Sequence, residues 1–408
     1  MRHANSFLLL ALSLAGTGAL GQSLPVGVNI EPFYDVTKPG LSFKVDKHAV
    51  SGIYEVPGKP QHFVVVGALG YLWTLYPTDP SKPSVPGQIT DYTKRQVGDF
   101  NEWVMKGHHQ FVNAGAFDPN FSVNHFFYVL YNKYGNPADY HKGTTALAAD
   151  RFSNQAHLVV VDRWKMSQDY GSMERDTTII SMDHGRGFGA SGMVFGEDGM
   201  LYLSPMSYSH NSWDSTTLMR KVLRIDVSKP EGYRMYTIPK DNPWYNSTNP
   251  AVKKEVYAFG FRDTYLLQAD HLTGSIWGAE VGQGAWEEIN IIKPGRNYGW
   301  ANAGDYEQPF QGIGIEGPCD VNTAEGGAWV ASVQKPYRCN GAACLGREYT
   351  CADFTNGAWN FTHNGMERGG SKTALPGTGS LCTVVSPPFR GDPSSPFYGY
   401  HFISDVGA

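Results

Sequence analysis

Two segments of the sequence carry residue types that could do chemistry. Asp183-His184 places an imidazole beside a carboxylate, and histidine is the side chain that exchanges protons near neutral pH. The run AEVGQGAWEEIN (279–290) combines carboxylates with glycines, which let backbone carbonyls turn toward a cavity. Carbonyl and carboxylate oxygens are the ligands that a hard cation such as calcium prefers. The two segments therefore predict a general base and a calcium site.

Each of these features also has a purely structural interpretation. His184 could be a loop histidine, and Glu287 and Glu288 could belong to an ordinary solvated turn. Arg262, which stands next to Asp263, could form a surface salt bridge with it. The residues alone leave both interpretations open.

The elements that must position these residues are short strands. Long helical periodicity is missing, which argues against helical and alternating βαβ folds. The chain contains 47 glycines and 25 prolines, and only 17% of its residues are charged, which suits many strands joined by tight turns. We predict an all-β fold, and the length favours a propeller, which grows by adding blades. The predicted strands are 62–66, 71–76, 126–131, 157–161, 200–203, 222–227, 255–259, 275–279 and 288–292.

Six ordered motifs lie between residues 193 and 306: MVFGEDGMLYL, KVLRIDV, YTIPKDNPW, EVYAFGFRD, DHLTGSIWGAEVGQGAWEEINIIKPGRNYGW and AGDYE. In order and spacing they resemble the soluble quinoprotein glucose/sorbosone dehydrogenase family, and GAFDPNFSVNHFFYVLY (115–131) is similar to its second-blade segment. The resemblance implies a six-bladed β-propeller that holds pyrroloquinoline quinone (PQQ) and Ca²⁺ and oxidises the anomeric carbon of an aldose to a lactone. Hedgehog-interacting-type proteins share this fold, so the fold alone does not fix the activity.

The resemblance also implies roles for particular residues. His184 would be the catalytic base, and Arg262 and Asp263 would contact PQQ. The main-chain oxygens of Gly282 and Gln283 would bind calcium. Two further cofactor contacts would come from Gln110, which competes with His109 for its position, and from Arg390 in PFRG.

Three departures from the family pattern keep a second function open. The interval between His184 and the FGEDG turn is longer than in the family, so that an ungapped alignment places Phe188 at the histidine's position. Asp263 stands where the family usually has Asn, and Met206-Ser207 replaces a Gly-Asp pair. The alternative is a catalytically inactive extracellular propeller that binds a protein or glycan partner.

The first 21 residues have the pattern of a secretory signal peptide, with Arg2 and His3, an apolar run from Phe7 to Leu14, and small residues before Gln22. We therefore expect a secreted protein in which residues 22–408 form one propeller. The chain ends within YHFISDVGA, which is similar to the start of the family's last blade, so that blade is expected to be truncated. A Cys-rich insertion is expected at about 319–370.

The cysteines, sequons and net charge indicate which covalent modifications and partners to expect. Five cysteines lie at positions 319, 339, 344, 351 and 382, and in an exported chain they predict local disulfides with one cysteine left over. The sequons at Asn120, Asn246 and Asn360 predict glycosylation. A net charge of −5 with no basic stretch argues against a nucleic-acid partner, and no apolar run is long enough to span a membrane. Hydrolase motifs and a dinucleotide-binding βαβ unit are missing from the sequence.

Overall fold

The computed structural model describes most of the chain between residues 50 and 300 and parts of the C-terminal region. The described residues are 50–81, 92–105, 112–134, 157–185, 189–207, 212–282, 286–300, 337–338, 348–349, 355, 358–362, 383–391 and 393–405. The expected signal peptide, Gln110, Gln283 and all five cysteines lie outside them. The expectations for export and disulfides therefore stay predictions.

Sixteen strands form four antiparallel sheets of four strands each. The first sheet contains β1 (Gly52–Glu55), β2 (Phe63–Gly67), β3 (Tyr71–Pro77) and β4 (Tyr92–Asp99). The second contains β5 (Val112–Phe117), β6 (Phe126–Tyr134), β7 (His157–Met166) and β8 (Met173–Gly185). The third contains β9 (Ser191–Phe195), β10 (Leu201–Pro205), β11 (Lys221–Ile225) and β12 (Val256–Phe259). The fourth contains β13 (Thr264–Asp270), β14 (Ser275–Glu280), β15 (Trp286–Ile292) and β18 (Trp359–Thr362).

The four sheets are successive blades of a β-propeller. Their first strands contact one another in chain order, β1 with β5, β5 with β9, and β9 with β13, as the innermost strands around a propeller axis do. The apolar core lies between blades: one cluster joins the first and second sheets, a second joins the second and third, and a third joins the third and fourth. The predicted all-β propeller is thus confirmed.

Close approach of the innermost strands depends on glycine. The backbone N–H of Gly115 in β5 donates to the Tyr54 hydroxyl of β1 at 2.7 Å. A Cβ atom at Gly192 in β9 would lie 2.6 Å from the backbone nitrogen of Leu267 in β13. A side chain at Gly192 would therefore push neighbouring blades apart.

The remaining elements are short. Helix α1 (Phe121–Asn124) connects β5 to β6. Strands β16 (Tyr337–Arg338) and β17 (Glu348–Tyr349) pair within the expected Cys-rich insertion, and Trp359–Thr362, which that expectation included, is instead the last strand of the fourth sheet. Strands β19 (Thr383–Val385) and β20 (Ile403–Asp405) pair, and β19 packs beside β13 and β14. The expected count of six blades stays a prediction. Among the described residues, no helix is long and apolar enough to cross a membrane.

Candidate functional site

One face of the propeller collects most of the predicted site residues. Because strand direction alternates within each sheet, the connections that follow second strands and fourth strands lie on the same face. His184 stands at the end of β8, a fourth strand, and Arg262 and Asp263 follow β12, another fourth strand. Gly282 follows β14, a second strand. Four predicted residues that are up to 98 positions apart in the chain therefore share one face.

Glu280 holds the turn that carries Arg262. Its carboxyl group accepts hydrogen bonds from the backbone N–H groups of Arg262 and of Asp263, the latter at 2.9 Å, and from the Thr264 hydroxyl at 2.6 Å. Burial raises the pKa of Glu280 to about 8, although these hydrogen bonds act in the opposite direction. Glu280 is therefore a buried acceptor for three consecutive residues at the start of β13.

The Arg262 side chain turns toward the connection that follows β14. Its Nη1 atom donates to the carbonyl oxygen of Val281 at 2.8 Å. This contact brings a permanent cation next to Gly282, one of the two residues expected to bind calcium. The resemblance placed Arg262 and Gly282 at one site, and the structure brings the two segments together.

Asp263 follows Arg262 on the same face of the propeller. Its Oδ1 atom accepts a hydrogen bond from the Ser191 hydroxyl at 2.7 Å, which links the third and fourth blades. Burial raises the pKa of the Asp263 carboxyl, while the hydrogen bond from Ser191 and the charges of Arg262 and Arg220 counteract this effect. The residue is partly exposed to solvent.

Glu287 and Glu288 do not belong to a solvated turn. Both lie in β15 and are buried, and Glu287 accepts a hydrogen bond from the backbone N–H of Gly282 at 3.1 Å. The solvated-turn interpretation is therefore wrong, because strand pairing with β14 and β18 carries these residues inside the blade. The connection between the strands predicted at 275–279 and 288–292 is correspondingly shorter than expected, since β14 extends through Glu280 and β15 begins at Trp286.

His184 is fully buried at the end of β8. Its ring stacks on that of His157, with centroids 4.0 Å apart and an interplanar angle of 30°. A Cβ atom at Gly189 would lie 2.4 Å from Oδ1 of Asn132 and 2.9 Å from Nε2 of His184, so the absence of a side chain there leaves room for both groups. His184 thus lies on the same face as Arg262, and its role as a base stays a prediction.

Two residues that the sequence analysis did not select join these segments. The Ser207 hydroxyl donates to the backbone oxygen of His184 at 2.7 Å, and Nε of Arg220 donates to the backbone oxygen of Ser207. Arg220 also acts electrostatically on Asp263. One sequence feature could have indicated Arg220: two cations, Arg220 and Lys221, directly precede the apolar segment VLRI, and charged residues are unusual at the start of a buried strand.

Arg390 is not brought to this face. It forms an ion pair with Asp270 through two guanidinium nitrogens, with Nε 3.0 Å from Oδ1. Asp270 ends β13, whose other end follows Arg262 and Asp263, and a seven-residue strand separates its ends by roughly 20 Å. The structure thus places Arg390 on the opposite face from Arg262. Gln110 and Gln283 lie outside the described residues, so their expected roles stay predictions.

The segment NYGW (297–300) supports the Arg262 turn. The Tyr298 and Trp300 backbone N–H groups donate to Phe259 and Gly260, each at 2.9 Å. The Tyr298 ring stacks on Phe261, the residue before Arg262, at 4.7 Å between centroids. The motif thus packs against the turn from which Arg262 projects.

The profile of the glucose/sorbosone dehydrogenase family matches residues 91–324, more than half of the chain. This chain belongs to the glucose/sorbosone dehydrogenase family. The matched span contains His184, Arg220, Arg262, Asp263 and Gly282, so the shared face described above is built from family sequence.

Curated relatives and solved structures of similar chains include sugar dehydrogenases. HIPL2 protein of Arabidopsis thaliana is 34% identical over 29% of this chain and 18% of its own length. Quinoprotein glucose dehydrogenase B of Acinetobacter calcoaceticus is 27% identical over 47% of this chain and 40% of its own. The PQQ-bound aldose sugar dehydrogenase of Streptomyces coelicolor is 20% identical, with a TM-score of 0.42 over 62% of each chain. The chain spans less than half the length of these two curated relatives.

The site's donor set fits an anionic cofactor better than a cage of acidic metal ligands. Arg262 and Arg220 both exert positive charge at Asp263, and positive charge on this face suits a ligand that carries carboxylates. Glu280 and Glu287 are engaged with backbone N–H groups. Among the described residues, no group of three or more His, Cys, Asp or Glu side chains is arranged to hold a metal ion. The calcium ligands expected from the family resemblance are the backbone carbonyls of Gly282 and Gln283, and this expectation stays a prediction.

Proposed function

We propose that this chain carries the active face of a secreted, PQQ-dependent aldose dehydrogenase. The observation that supports the proposal is the hydrogen-bonded convergence of Arg262 with Val281, directly before the expected calcium ligand Gly282. His184 lies on the same face and is tied to it through Ser207 and Arg220. The quinoprotein name of a relative that is 27% identical over 47% of the chain points to the same cofactor.

In the proposed reaction, an aldose is oxidised to its lactone. PQQ, when bound, supplies the two-electron acceptor that takes the hydride from the anomeric carbon. His184 would take the proton of the anomeric hydroxyl, so that the C1–O bond becomes the lactone carbonyl as the C–H bond breaks. The lactone would then leave, and an external electron acceptor would complete the oxidation.

Arg262 would bind and orient the anionic cofactor. Its guanidinium charge favours the more negative, reduced form of a quinone. The rigid turn behind it, held by Glu280 and packed on Tyr298 through Phe261, keeps that charge in place. Preorganised charge of this kind stabilises a reduced product more than a mobile side chain does.

A second function is favoured by the burial of His184. A base must reach the proton that it removes, and the His184 ring has no exposed surface and is stacked on His157. If the ring stays there, the same face would serve as a binding surface for an extracellular protein or glycan, without sugar oxidation.

The experiment that separates the two functions is reconstitution of the full-length protein with PQQ and Ca²⁺. We expect quinone binding, followed by reduction of an artificial dye when an aldose is added. Arg262→Lys should weaken PQQ binding at least tenfold, because lysine cannot bond Val281 and also present a fork of donors to a carboxylate. Arg296→Lys, at an exposed position, is the matched control and should bind as the wild type does.

Two results would decide against the dehydrogenase. Full-length protein that binds no quinone would rule out the cofactor, and the extracellular binding function would then be the better account. Quinone binding without dye reduction by any aldose would show that the pocket persists while the sugar chemistry is absent.

A further inference from the structure

Arg220 has a strained and buried setting. It precedes β11, its side chain is among the largest that are fully buried, and its backbone has φ +58, in the left-handed region that non-glycine residues rarely occupy. Its backbone N–H donates to the Pro205 oxygen at 2.7 Å, closing the ends of the connection between β10 and β11. Such strain persists where surrounding structure enforces it, and it concentrates at functional sites.

The Arg220 side chain reaches the segment that carries His184. Its Nε atom donates to the Ser207 backbone oxygen, and the Ser207 hydroxyl donates to the His184 backbone oxygen at 2.7 Å. Ser207 is itself fully buried, so this link is shielded from water. Arg220 therefore connects the third blade to the end of β8 in the second.

The charge of Arg220 also acts on Asp263. Asp263 brings a carboxylate next to Arg262, and a carboxylate there would cancel much of the charge that an anionic ligand needs. Arg220 is a second cation, and its charge acts to lower the pKa of that carboxyl group. The charges of two arginines, Arg262 and Arg220, therefore act on the one carboxyl group of Asp263.

We propose that Arg220 is a positioning residue of this site, which fixes the His184 segment through Ser207 and offsets the charge of Asp263 so that Arg262 can bind an anion. The anion-binding part rests on the proposed function. The electrostatic coupling between Arg220 and Asp263 does not.

The test is a double-mutant cycle with Arg220→Gln, Asp263→Asn and the double variant, each measured by urea unfolding and by PQQ titration. We expect Arg220→Gln to lower the unfolding midpoint and to weaken PQQ binding at least tenfold. Asp263→Asn in the same chain should restore binding to within about threefold of the Asp263→Asn single variant, because it removes the uncompensated charge. A purely structural arginine would show no such rescue.

Arg224→Gln is the matched control. Arg224 lies in β11, the strand that Arg220 precedes, and forms ion pairs with Asp198 and Asp241, so its loss should destabilise the chain without rescue by Asp263→Asn. If Arg220→Gln does not fold, Arg220→Lys replaces it in the cycle. This variant keeps the charge, so it should retain most of the PQQ affinity, but its urea unfolding midpoint should be lower than that of the wild type.

The outcomes separate the two proposals. If the unfolding midpoints show no coupling between Arg220 and Asp263, the inference is overturned, whether or not the protein binds PQQ. Coupling in a protein that binds no PQQ would leave the Arg220–Asp263 compensation standing and reject the proposed function. Coupling together with unchanged PQQ binding in Arg220→Gln would overturn the positioning role.

Discussion

The carboxyl group of Glu280 accepts a hydrogen bond from the backbone N–H of Asp263, at 2.9 Å, across two neighbouring strands. The same side chain receives the N–H of Arg262 and the hydroxyl of Thr264. A single buried acceptor thus sets the backbone from which Arg262 projects. The position of the site's main cation is determined by a residue at the end of β14.

Replacement of Glu280 by alanine should destabilise the protein by about 2–4 kcal/mol, because buried donors lose their acceptor. Glu280→Gln keeps a carbonyl oxygen at the same place and should cost less than about half of that. Urea unfolding of both variants measures the difference. Equal losses in the two variants would show that the acceptor does not hold the turn.

The sequence predicted the middle strands of the blades well, and all the predicted strands are present with shifted ends. It missed the innermost strand of every sheet, β1, β5, β9 and β13. These strands meet near the axis, where close packing requires small residues. Gly115 and Gly192 satisfy that requirement and at the same time remove the alternation of large apolar residues that identifies a strand.

The site was predictable only where short-range motifs determine position. EVYAFGFRD and AEVGQGAWEEIN pointed to Arg262 and Gly282, which the structure joins. Ser207 was noted only as part of a departure from the family pattern, and Arg220 was not selected, because the hydrogen bonds that link them to His184 run between blades. Arg390 was placed by a four-residue motif, whereas its ion pair with Asp270 depends on how the C-terminal segment packs.

The Arg390–Asp270 pair predicts a pH-dependent contribution to stability. Burial opposes ionisation of Asp270, but hydrogen bonds from Arg390 and Thr273 outweigh it and lower the pKa to about 2. The unfolded chain therefore binds a proton more readily between about pH 2 and pH 4, and the contribution is present above pH 4 and lost as pH falls. Asp270→Asn should cost about 2 kcal/mol at pH 7 and less at pH 3. A cost that stays constant between these pH values in urea unfolding would contradict this.

Lys221 predicts a second rise of stability with pH, in a higher pH range. Burial lowers the pKa of its ammonium group to about 7, although Asp214 counteracts the effect, and the group donates to the Met219 oxygen at 2.9 Å. Between about pH 7 and pH 10 the unfolded chain holds the proton that the folded chain has released, so stability should rise with pH. Lys221→Met should abolish this rise. The measurement is the difference in unfolding free energy between the two proteins at pH 6.5 and pH 9, and a difference that does not change would show that the lysine stays charged when folded.

The last prediction concerns the pocket that holds His184. A methyl group at position 189 would lie 2.4 Å from Asn132 Oδ1 and 2.9 Å from His184 Nε2, so Gly189→Ala must displace the carboxamide or the imidazole. If His184 is the base, both Gly189→Ala and His184→Ala should lower dye reduction at least tenfold and leave PQQ binding at Arg262 intact. Gly199→Ala is the control: its φ of +74 makes alanine strained there, but its Cβ would meet no atom within 4 Å, so it should lower the unfolding midpoint without lowering dye reduction. Should His184→Ala lower the unfolding midpoint while turnover stays at the wild-type level, the stacked histidine pair is a structural element of the second blade, and the proton acceptor must be sought on another segment of the same face.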